Sequence, residues 1–256
     1  MPGLRPPVAA GTFYPSDGEE LAATVDRLLA ASAPAHANAP APRAFVVPHA
    51  GYVYSGPVAA TAYVRVREDA RRRVVALGPS HWTRLHNLAA SDAQAWRTPL
   101  GDVPVEPPPA GIPLDGSAHE REHAIEVQLP FLQRLHHDLR VLPIAVGPGS
   151  AERAADLLEP LWADESVLLL CSTDLSHYLD RATAQRRDRR TAAAVVGLDV
   201  DQLGPRDACG VHALRALLML TRRHGGAVEL LDLRTSADTA GDAHRVVGYG
   251  AFAVTG

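Results

Sequence analysis

Three histidines, His49, His81 and His177, each stand just beyond an apolar run that reads as a β-strand, in AFVVPHAGYVYSG, RRVVALGPSHW and SVLLLCSTDLSHY. Ligands of an open α/β sheet bind in the crevice outside the carboxyl ends of its strands, so imidazoles at such ends are expected to converge. Convergent imidazoles predict a metal site. Cys209, in RDACG, immediately precedes an expected helix, whose positive end favours the thiolate that attacks or binds metal. Two imidazoles and a thiolate suit iron, copper or zinc better than magnesium or calcium. Cys171 closes the run VLLLC and reads as core.

Other constellations compete for the chemistry. Asp174 and His177 pair in STDLSHY, where helical spacing would put both on one face to orient a ligand or relay a proton. Asp174 could instead cap a following helix. Ser172 or Ser176 would complete a Ser-His-Asp set, but the chain has no G-x-S-x-G elbow to present a nucleophile. HEREH matches the H-x-x-E-H pattern of inverted zinc peptidases, with His119, Glu122 and His123 on one helix; a solvated charged helix end is the plainer reading. Asp238, Thr239, Gly241 and Asp242 suit a tight polar loop before the last strand.

The elements that must position these groups follow from periodicity. Ser16 and Glu19 read as a capping box opening a helix to about Ala31, which an Ala/Pro-rich linker, ASAPAHANAPAP, then breaks. Strands are expected at 44–47, 74–78, 140–145 and 166–171, with helices from Val58 toward Glu68 and at 119–137, 151–163, 180–197 and 211–224. A hairpin is expected between Asn87 and Val105, and closing strands at 227–233 and 246–254. Strands alternating with helices predict a single α/β domain with a largely parallel central sheet, helices on both faces and an antiparallel edge.

Composition narrows the function. All 25 basic residues are arginine, so no lysine is present to form a Schiff base or ligate phosphate in a P-loop. The runs Arg71, Arg72, Arg73 and Arg186, Arg187, Arg189, Arg190 read as solvated faces. A net charge of -4 argues against a nucleic-acid partner. Two cysteines are too few for a secreted disulfide scaffold, the first residues lack the apolar stretch of a signal peptide, and no run is long enough for a membrane span. A soluble cytoplasmic protein is expected.

FYPSD, PHAGYVYSG, GPSHW, EHAIEVQLPFL, STDLSHY, DACG and TSADTAGD with VVGYGAF occur in this order, and together resemble the MEMO family, whose prokaryotic members are called AmmeMemoRadiSam system protein B. The resemblance spans nearly the whole chain. It implies a fold like the LigB-type class III extradiol dioxygenases and a metal held by two histidines and a cysteine, matching His49, His81 and Cys209. It places His123, Asp174 and His177 around the pocket, and because EHAIE rather than His119 matches, HEREH looks accidental. It also implies company with a radical SAM protein and an AMMECR1-like protein. After Cys209 this chain reads Gly-Val-His, so His212 is expected to alter the wall of the site.

The leading expectation is therefore a MEMO-like metal protein supporting redox chemistry or small-ligand binding, with His177 as proton relay oriented by Asp174. The alternatives are a non-catalytic peptide- or protein-binding module with a cleft lined by Tyr14, Tyr52, Tyr54 and Trp82, an extradiol dioxygenase, and a zinc hydrolase using His119, Glu122 and His123. A dioxygenase of this type completes its histidine pair with a carboxylate, so a thiolate in that place changes the redox character of the metal.

Overall fold

The structure, a computed structural model, describes residues 3–32, 41–66, 73–149 and 151–256. Most of the Ala/Pro-rich linker lies outside the described residues, as do Arg71, Arg72 and Glu68.

Strands β1 (Leu4–Arg5), β2 (Ala44–Val47), β3 (Arg73–Gly78), β4 (Leu88–Ala90), β5 (Ala95–Thr98) and β6 (Gly101–Pro104) occupy the first half of the chain. They are followed by β7 (Arg140–Val146), β8 (Val167–Ser172), β9 (His177–Leu179), β10 (Ala227–Thr235) and β11 (Val246–Thr255). The helices are α1 (Gly18–Ala31), α2 (Tyr52–Tyr63), α3 (Leu129–Leu135), α4 (Ala151–Ala163), α5 (Arg181–Val196) and α6 (Val211–Arg223). The main sheet runs β10-β11-β2-β8-β3-β7-β4, with β9 paired to β11. Its centre, β2, β8, β3 and β7, is parallel, while β11, β10 and β4 join antiparallel.

Both faces of the parallel strands are buried. Alternate residues of β2 and β8 point opposite ways: Val46, Leu169 and Cys171 pack toward α4, α5 and α6, and Phe45, Val47, Leu168 and Leu170 toward α1, α2 and α3. Such strands read as continuous apolar runs because neither face meets water, and each fully buried Val or Leu contributes about 1.5–3 kcal/mol. The α/β architecture with helices on both faces is as expected.

Several local expectations are corrected. Helix α1 is capped by Asp17, which accepts from the Glu20 N–H, rather than by Ser16. Helix α2 begins at Tyr52, not Val58, and carries Gly56 and Pro57 inside it. It is apolar nearly all round, so no amphipathic stripe marks its start. A Cβ on Gly56 would meet Leu28 at 2.8 Å, so that glycine serves helix packing rather than a turn. The helix expected over 119–137 is α-helical only at Leu129–Leu135. Upstream, Glu122, Glu126 and Gln128 are drawn into long-range hydrogen bonds that turns satisfy better than a regular helix. The hairpin is β5–β6, in a separate three-stranded sheet with β1, while β4 extends the main sheet.

Candidate metal centre

Each site residue leaves the sheet at its carboxyl edge. Pro48 and His49 follow β2, His81 lies a short loop beyond β3, and Asp174 follows β8. Cys209 comes from the loop before α6 and is locked onto the end of β8: its N–H donates to the Asp174 carbonyl at 3.1 Å, and the Gly210 N–H donates to Thr173 Oγ1 at 2.8 Å. A Cβ on Gly210 would stand 2.8 Å from the Ser172 carbonyl oxygen, so only glycine lets Cys209 approach so closely.

One ligand atom from each of His49, His81 and Cys209 falls within 4.8 Å of the others, and Cys209 Sγ lies 3.3 Å from His49 Nε2. The second nitrogen of each histidine is committed. Ser172 Oγ donates its single proton to the Ala124 carbonyl at 2.6 Å and accepts from Gln128 Nε2 at 2.9 Å. His49 Nδ1, 3.0 Å from that oxygen, is therefore the donor, and Nε2 keeps its lone pair toward Cys209. His81 Nδ1 donates to Glu122 Oε1 at 2.9 Å, which leaves Nε2 as its remaining ligand atom. Glu122 accepts also from the backbone N–H groups of His81 and Ala124. Burial raises the Glu122 pKa, but these bonds and the His81 charge more than offset it and hold the carboxyl at about 2. Conversely, burial lowers His81, and Glu122 lifts it above the ordinary value.

Burial and the neighbouring His81 push His49 down to about 3, and burial with His49 beside it takes His123 to about 4, so both are neutral near pH 7. Cys209 departs from expectation. Burial, with the Asp174 charge, pushes its thiol up to about 12, outweighing the N–H groups that face the sulfur. Desolvation of a thiolate costs more here than the helix end returns, so a cation is needed to hold the sulfur ionised.

A second grouping, His81, Glu122 and His123, also has its ligand atoms within 4.8 Å. Its shared oxygen, Glu122 Oε1, already accepts from His81 and Ala124, so this is a hydrogen-bond network behind the first set. His123 stacks on His81 at 5.0 Å between ring centres and meets Phe13 in a tilted contact at 4.3 Å.

The proton-relay expectation is corrected in part. His177 lines the same cleft but opens β9, not a helix, and its Nδ1 donates to the Leu175 carbonyl at 2.8 Å. Asp174 does not orient it; Oδ1 of Asp174 accepts the His49 backbone N–H at 2.8 Å. Nor does Asp174 cap the next helix, which Asp180 does. Ser172 and Ser176 are fully buried, and neither is presented as a nucleophile. His119 is buried against Trp96 with Nε2 bonded to the Ala89 carbonyl, away from Glu122 Oε1, so the H-x-x-E-H set is not assembled.

Of the expected aromatic lining, Trp82 borders the cleft, but Tyr14 and Tyr52 are core residues whose hydroxyls donate to Glu126 and to the Val127 carbonyl. His212 faces an adjoining cavity that shares His81 and Cys209. Gln128, Tyr178 and Arg206 also belong to the site or its cleft, and of these only Gln128, a polar residue set in the apolar run VQLPFL, has a signal in the sequence.

Burial holds His119 at about 4 against an ordinary 6.5. Its folded value lies below its unfolded one, so the stability it carries is complete above about pH 6.5 and is lost as pH falls through about 4. The denaturant midpoint is expected to drop across that window, and to drop less in His119→Gln. Parallel profiles for the two proteins would contradict it.

Fold and site together define an α/β protein with a cleft at the strand ends, where two histidines and a cysteine meet. Comparison with known proteins places it further: the Memo-like protein family matches residues 5–253. MEMO1 family proteins of Thermotoga petrophila, Desulfurococcus amylolyticus and Aquifex aeolicus are 36%, 31% and 34% identical, each covering at least 96% of this chain and 97% of the relative. The chain belongs to the Memo-like family. None of its described helices is long and apolar enough to cross a membrane.

Proposed function

We propose that this protein holds a transition metal on His49 Nε2, His81 Nε2 and Cys209 Sγ and acts through it on a small ligand in the adjoining cleft. The observation that carries the reading is the pair of committed Nδ1 atoms. Each imidazole is held by its Nδ1, by Ser172 in one case and Glu122 in the other, which leaves Nε2 as the atom to meet a metal beside the thiol. This donor set suits iron, copper or zinc. When bound, such a metal would supply Lewis acidity or, for iron or copper, redox chemistry. The chain's own residues hold the thiol near His49, keep Glu122 ionised behind His81, and present the His123 and His177 imidazoles to a ligand.

The dioxygenase reading does not transfer directly. Glu122 is committed to His81, one oxygen of Asp174 is bonded to the His49 backbone, and it is a sulfur that groups with the two histidines. A shared pathway with a radical SAM protein and an AMMECR1-like protein remains a proposal, supported by the family resemblance alone.

Metal analysis of protein purified anaerobically tests the reading. Wild type is expected to carry close to one iron, copper or zinc per chain, and Cys209→Ser and His49→Ala to lose most of it while remaining folded by circular dichroism. Unchanged stoichiometry in both variants would rule the assignment out.

A further inference from the structure

The cleft beside the proposed metal has a volume of about 840 Å³, and its charged lining is unbalanced. Arg187 enters it from α5 and Arg206 from the loop leading to Cys209, against a single carboxylate, Asp174. That carboxylate has one oxygen on the His49 backbone and is faced by His177, His123 and His81. Arg206 is exposed and has no ion-pair partner among the described residues. Arg187 reaches Asp207 only at 3.7 Å, whereas Arg5, Arg73 and Arg134 pair with their carboxylates at 2.6–2.8 Å. The guanidinium of Arg187 therefore keeps donors for another acceptor, and the cleft's field favours a negative guest.

Two aromatic rings stand at the same cleft. Trp82 is 58% exposed and Tyr178 64% exposed, each with an arginine over one face: Arg121 at 4.5 Å and Arg245 at 4.8 Å. Tyr178 adopts a φ of 58°, a conformation that bulky residues rarely take. Backbone strain that displays a large apolar ring to solvent is accounted for when the ring has something to meet.

We propose that the cleft recognises a small organic anion, with its acid group on Arg187 and Arg206 and its unsaturated part against Trp82 and Tyr178. This names the ligand class for the function proposed above and rests on it for the reacting end of the ligand; the recognition end stands on the arginines alone.

The test uses benzoate and phenyl phosphate as probes, with benzyl alcohol as the uncharged control, titrated calorimetrically into metal-free and zinc-loaded full-length protein. The preferred anion is expected to bind metal-free protein at least tenfold more tightly than benzyl alcohol, with an affinity that falls as salt rises. Whichever anion wins distinguishes a carboxylate from a phosphate ligand. Arg206→Glu, at a side chain with no partner to lose, is expected to abolish that preference while leaving alcohol binding and zinc stoichiometry unchanged. Binding of neither anion, equal affinity for anion and alcohol, or an unaltered preference in Arg206→Glu each overturns the proposal. Failure to load zinc with the anion preference intact would instead defeat the metal reading and leave this one standing.

Discussion

Replacing Glu126 with alanine is expected to lower the unfolding free energy by about 3–5 kcal/mol, read from the denaturant midpoint. The carboxylate is fully buried and holds four donors: Arg5 Nη1 and Tyr14 Oη, each at 2.6 Å, and the backbone N–H groups of Val8 and Ala9 at 2.9 and 2.8 Å. Removing it leaves the Arg5 guanidinium charged and buried against Trp96 without its carboxylate partner. Arg5 also donates to the Glu122 carbonyl, so loosening the N-terminal segment slackens the turn that carries Glu122 to His81. The pairing itself need not be a net gain. An Arg5→Met, Glu126→Leu double variant, which removes both charges, is expected to recover much of the loss. A change under about 1 kcal/mol in Glu126→Ala would show that the site relaxes in a way this geometry does not foresee.

The second large effect concerns metal affinity without touching a proposed ligand. Glu122→Gln keeps the shape of the side chain but removes the charge that fixes the proton on His81 Nδ1. An amide also turns either an N–H toward that nitrogen or a weaker acceptor. Loss of such an outer partner typically costs 10–100-fold in metal affinity, and competition against a chromophoric chelator would measure it. Ser172→Ala tests the equivalent point for His49, where the partner is uncharged, and a smaller loss is expected. An affinity unchanged in both variants would mean that ring orientation is set by packing alone.

Much of this was legible in the chain. Apolar runs of strand length ending in histidine, a cysteine set just before a helix, and helices between strands are local patterns; they led to the parallel sheet and to His49, His81, His177 and Cys209 as candidates, of which the family resemblance selected His49, His81 and Cys209. Residues 119–128 show where local pattern fails. Glu122, Glu126 and Gln128 carry helical spacing, yet each forms side-chain hydrogen bonds with residues at least 41 positions away, Glu122 adding only the nearby Ala124 N–H, and those long-range bonds decide the backbone. Helix α2 failed differently: with apolar residues all round, it offered no face by which to find its start.

The alternation of the main strands and helices, and the residue types at the strand ends, are settled within the chain, because hydrophobic period and turn chemistry act over a few neighbours. Only the tertiary structure decided which nitrogen of each histidine is free, that Leu175 and not Asp174 holds His177, and that burial raises the Cys209 thiol rather than lowering it. Those outcomes depend on solvent exclusion and on partners brought in from distant loops, and neither can be read from residues adjacent in the chain.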